Sequence, residues 1–102
     1  MNSATRRNPE LARGAMKIAD TIRTQLVQRG CRHEEISLNW DPDPDLARRR
    51  VTTELRATLA DCGSVHQLFS RDELRVSCER VSTPSVAAKV DLIVASLSAG
   101  LP

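Results

Sequence analysis

Proline and glycine constrain this chain more than any other residue types. Three of its five Pro follow a residue suited to opening a helix: Asn8-Pro9, Asp43-Pro44 and Thr83-Pro84. Proline at the first helical position has no N–H to leave unbonded, and its φ is already helical. The oxygen of the preceding Asn, Asp or Thr is able to accept an orphan N–H of the first turn. Three of the four Gly stand where such helices would stop, at Gly30, Gly63 and Gly100, each suited to the left-handed position after a helix. This punctuation predicts helices over 9–29, 44–62 and 84–99.

The apolar residues repeat with a period that agrees. Leu11, Ala15, Ile18, Ala19, Ile22 and Leu26 fall on one face of the first segment, opposite Arg13, Lys17, Thr24 and Gln28. In the second, Val51, Leu55, Leu59 and Cys62 are expected inward, with Arg49, Thr53 and Arg56 outward. The third has a main aliphatic face, Val86, Val90, Ile93, Val94 and Leu97, and a separate apolar stripe at Ala88, Leu92, Ala95 and Ala99. Between the helices the period changes to two. Ile36–Trp40 and Leu74–Cys78 alternate as half-buried strands, and Val65–Ser70 is a less regular one, with Arg71-Asp72 as the turn before Leu74. The expected fold class is α+β: three helices with a small antiparallel sheet, in the order α-β-α-β-β-α. Residues 1–8 are expected to form a flexible basic arm, and 9–100 a single domain.

Length and composition narrow the function. At 102 residues the chain suits one domain, and 40% apolar with 27% charged residues is a globular composition. No apolar run reaches membrane-spanning length, and nothing resembles a secretory signal. Three Cys do not make a disulfide framework, so a reducing cytoplasm is expected. The net charge of +2 hides an asymmetry: residues 1–33 carry seven basic groups against two acidic ones, whereas 34–63 carry four against seven.

Candidate chemistry is sparse. Cys31-x-His33 and Cys62-x₃-His66 supply a zinc count of four, but the first spacing is too tight for a zinc knuckle. Whether Cys31, His33, Cys62 and His66 approach one another is left open by the sequence. The run Asp41-Pro42-Asp43-Pro44-Asp45 begins like a calcium loop, then has Leu46 and Thr52 where Gly and Glu are needed. Cys31 beside Arg32 and His33 has a setting that can activate a thiol, but such a Cys more often merely follows a helix cap. No nucleophile elbow or phosphate-binding glycine loop occurs. The expectation is therefore a protein with no catalytic residues, no bound metal and no cofactor.

Two binding roles remain. Small residues at Ala88, Ala95 and Ala99 around Leu92 would let another helix approach closely, which points to a protein partner of unknown identity and to a homo-oligomer formed through the last helix. The alternative is a nucleic-acid-binding regulator, with Arg6, Arg7, Arg13, Lys17, Arg49 and Arg56 contacting phosphates or an acidic partner. Trp40 and Phe69 lack aromatic neighbours in sequence, which disfavours base stacking. From Ile36 onward the order strand–helix–hairpin–helix, carried by Ile36–Trp40, Leu74–Cys78 and Val90–Val94, resembles the small dimerising subunit of the KEOPS tRNA-modification complex. That resemblance implies a non-catalytic dimeric adaptor.

Overall fold

The computed structural model describes residues 9–41, 52–60, 62–80 and 83–99. The first helix, α1 (Pro9–Gln28), presents Leu11, Ala15, Ile18, Ile22 and Leu26 to the core as its period demands. It ends in a left-handed cap. Gly30 has φ 101°, and Cys31 N–H donates to the Leu26 carbonyl at 3.1 Å while Gly30 N–H donates to Val27 at 3.0 Å. A short 3-10 turn, His33–Glu35, leads into β1 (Ile36–Asp41).

Next come β2 (Thr52–Leu59), β3 (Gly63–Ser70), α2 (Arg71–Ser77) and α3 (Pro84–Ser98). The fold is α+β, with three helices and a three-stranded antiparallel sheet in the order β1-β2-β3. Two expected elements have exchanged type. Residues 52–59, expected as the last part of a helix, form the central strand, and 74–77, expected as a strand, lie in a helix.

Both differences have a physical reason. Val51, Leu55 and Leu59 are spaced by four, a set that satisfies a helical stripe and also one face of a strand. Thr53 and Ala57 break the tie: both are buried with Leu55 and Leu59, so the true period is two. Thr53 therefore faces inward, not outward. Gly63 stops no helix. Its φ of 105° closes the β2–β3 hairpin, where Cys62 N–H donates to the Leu59 carbonyl at 3.0 Å.

For α2 the deciding signal is a reciprocal N-terminal cap. Glu73 N–H donates to Ser70 Oγ at 3.1 Å, and Ser70 N–H donates to Glu73 Oε1 at 2.8 Å. Arg71 and Asp72 thus open a helix; they do not form a hairpin turn. Among the described residues the strand–helix–hairpin–helix order that carried the KEOPS resemblance does not occur: β1 is followed by two strands and then two helices. Asp43 to Asp45, Val51 and Gly100 lie outside the described residues.

The sheet has one covered and one open face. Ile36, Leu38 and Trp40 of β1, Thr53, Leu55, Ala57 and Leu59 of β2, and Val65, Gln67 and Phe69 of β3 share the covered side. Helix α3 lies over β3 and β2, α2 touches the end of β3, and α1 packs on α2 and α3. The two aromatics meet here, Trp40 against Phe69 edge-on at 5.5 Å between centroids.

The crossing of α1 and α2 explains the fourth glycine. A Cβ built on Gly14 would lie 1.7 Å from the Leu74 carbonyl oxygen. The two helices approach backbone to backbone there, and only a residue without a side chain fits. Gly14→Ala should lower the unfolding free energy by about 3 kcal/mol or more in urea titrations, because a main-chain carbonyl has nowhere to retreat. An exposed helical Gly→Ala change would instead stabilise by up to about 1 kcal/mol.

Candidate functional site

The outer face of α3 departs from ordinary surface chemistry. Of fifteen residues in this helix only Lys89 and Asp91 are charged. Val86, Val90, Ile93, Val94 and Leu97 are buried, as their spacing predicts. The second stripe, Ala88, Leu92, Ala95 and Ala99, is exposed, with Leu92 55% accessible. Helix α1 does not cover it. Just beyond α1, Arg29 Nη1 donates to Ser98 Oγ at 3.2 Å, and on α1 Ala15 is buried and Ala19 half-buried.

Lys89 shows why this stripe is so poorly charged. Its ammonium turns toward the sheet, donating to Glu73 Oε1 at 2.6 Å and to the Leu68 carbonyl at 2.8 Å, and it sits 5.2 Å from the Phe69 ring centre. Ser85 Oγ also donates to Glu73 Oε2, at 2.7 Å. Thr83, expected to cap α3 with its side chain, makes no such bond; its backbone carbonyl accepts from Ala87 N–H at 2.8 Å.

Burial alone would push the Glu73 carboxyl up. The bonds from Lys89, the Ser70 amide and Ser85 outweigh it, and its pKa is lowered.

The basic residues do not form one patch. Arg13 and Lys17 are exposed on α1, with Arg13 Nη1 3.9 Å from Cys78 Sγ. Arg56 is exposed on the opposite side of the molecule, in the middle of the open sheet face, paired in register with Asn39 and His66. That face also carries Ser37, Thr58 and Ser64, and His66 Nδ1 lies 3.1 Å from Glu54 Oε1. Arg6, Arg7 and Arg49 lie outside the described residues.

Among the described residues no three His, Cys, Asp or Glu side chains group to hold a metal ion. Cys31, His33, Cys62 and His66 do not assemble. Arg32 and His33 do not activate Cys31, which follows the cap of α1: it is buried, and burial, with Glu35 and Cys62 nearby, pushes its thiol pKa up. No described helix is long and apolar enough to cross a membrane. No family model, curated protein or solved structure matches this chain.

Glu73 and Lys89 were not singled out as a pair by sequence. The signal for half of it was present, since Ser70-Arg71-Asp72-Glu73 has the capping-box spacing. The lowered Glu73 pKa carries a sign. A carboxyl with a folded pKa below its unfolded value of about 4.3 contributes stability above that pH and loses it as pH falls through the folded pKa. Thermal melts between pH 6 and 3 should therefore fall more steeply for the native chain than for Glu73→Gln. At pH 7, Glu73→Gln should cost about 2 kcal/mol, and Lys89→Met in the same chain should cost little more.

Proposed function

We propose that this chain is a non-enzymatic, cytoplasmic protein–protein interaction module, an adaptor, accessory subunit or inhibitor, that self-associates through the outer face of α3. One observation carries the reading: a fifteen-residue surface helix whose outward stripe is Ala88, Leu92, Ala95 and Ala99, with one of its two charges drawn inward to Glu73. Surface helices ordinarily set charged and polar residues on the outward face. Leu92 is the large side chain of the stripe, and the flanking alanines allow two helices to approach at the short end of the usual 8–10 Å range. Covering the stripe contributes on the order of 3 kcal/mol at 25 cal/mol/Å², so neighbouring surface joins the contact.

Leu92→Arg tests this directly. The variant should keep the native circular dichroism and melting temperature, since Leu92 is largely exposed in its own domain, while its molar mass in light scattering or sedimentation should halve. A native chain that is already monomeric at high micromolar concentration, or a variant of unchanged mass, overturns the reading.

The second reading, nucleic-acid binding through α1, is supported by the exposed Arg13 and Lys17. It has less behind it, because Glu10 and Asp20 share the exposed surface and Asp20 lies 3.6 Å from Arg23. Arg13→Glu with Lys17→Glu should abolish salt-dependent retention on heparin or DNA if this reading holds; unchanged retention removes it.

A further inference from the structure

The two edges of the sheet are treated differently, and the difference points to a second contact. On β3 two outward main-chain groups near its helical end are occupied: the Leu68 carbonyl accepts from Lys89 and the Ser70 N–H donates to Glu73. On β1 they are not. Ala60 N–H donates to the Glu35 carbonyl at 2.9 Å, one position before the Ile36↔Leu59 pair. Bonded and non-bonded pairs alternate along an antiparallel ladder. Ser37, Asn39 and Asp41 therefore exchange bonds with Thr58, Arg56 and Glu54, and the N–H and C=O of Leu38 and Trp40 point away from the sheet.

The side chains of those same two residues are incompletely covered. The helices lie over β2 and β3, and Leu38 and Trp40 are only half-buried at the margin of the core. An open main-chain edge and an apolar margin thus coincide on one strand. An exposed edge of this kind is a template for another strand.

We infer that β1 pairs antiparallel with β1 of a second copy, centred on Asn39, to make a continuous six-stranded sheet. The sequence of the strand fits its own reversal in this register. Leu38 opposes Trp40 of the second copy, each exchanging both main-chain bonds and extending the apolar margin across the junction. On the open face Asn39 opposes Asn39, and Ser37 opposes Asp41, so no like charges face each other. Moving the centre to Leu38 would set Glu35 against Asp41 at both ends, which selects the Asn39 register. Pro42, which has no N–H, ends the ladder after Asp41.

This contact is separate from the pairing of α3 and does not rest on it, so it is measured in the Leu92→Arg chain. Sedimentation should show that chain passing from one copy to two as concentration rises. Amide exchange by NMR should slow at Leu38 and Trp40 over the same range, while Asn39 and Asp41, bonded within the chain, stay protected throughout. Adding Asn39→Asp should weaken the association roughly tenfold or more, because two carboxylates then meet on the symmetry axis. The same change sets an acid beside Arg56 within each chain, so the fold is retained.

Leu38 and Trp40 amides that exchange freely at every concentration overturn the inference. So does protection that is independent of concentration and survives Asn39→Asp, since the edge would then be covered from within the chain.

Discussion

Glu73 accepts from the Ser70 main chain, from Ser85 and from Lys89, and much of the architecture depends on those bonds. The Ser70 bond ends β3 and begins α2. The Ser85 bond ties the first turn of α3 to the same point. Lys89 reaches past the carboxylate to the outer edge of β3 and over the face of Phe69. Both charges are largely removed from water, with the Glu73 side chain 13% and the Lys89 side chain 28% accessible. A pair in that setting is costly to break from one side, because the remaining charge is left without its partner. It fixes where the sheet stops and where the helical layer starts.

The helical layer needs a second constraint, which Gly14 supplies. With two aromatics in the whole chain, the core is built from Leu, Ile, Val and Ala, and such side chains fill space only if the elements approach closely. The contact of α1 with the Leu74 carbonyl is the extreme case. Its consequence runs outward. Helix α1 packs on α2 and α3, so what limits the distance between α1 and α2 also limits how well Ile18, Ile22 and Leu26 cover the aliphatic face of α3. The single aromatic contact, Trp40 on Phe69, links β1 to the far strand.

The terminal helices were legible because two independent signals agreed. Pro9 and Pro84 mark their starts, Gly30 marks the end of α1, and the buried faces follow the 3.6-residue period. In the middle of the chain the signals are degenerate. A spacing of four at Val51, Leu55 and Leu59 belongs to both periods, and Leu74, Val76 and Cys78 alternate like a strand although Val76 is exposed and Ser77 is buried. Two short local patterns decide these cases, Thr53 with Ala57 in β2 and Ser70 with Glu73 before α2. The outer stripe of α3 was readable, since it needs only helical geometry. The open edge of β1 was not, because which strand lies outermost depends on strand order, and strand order is a property of the assembled sheet.

The unequal edges also bear on what happens when many copies of this chain are concentrated together. A sheet with two open edges adds strands without end, which is how fibrous aggregates grow. Here the β3 edge is partly blocked. Where β3 runs into α2, an ammonium and a carboxylate of the same chain already hold the Leu68 carbonyl and the Ser70 N–H. An ion pair whose evident role is to start a helix thus also shortens the length of that edge open to strand addition.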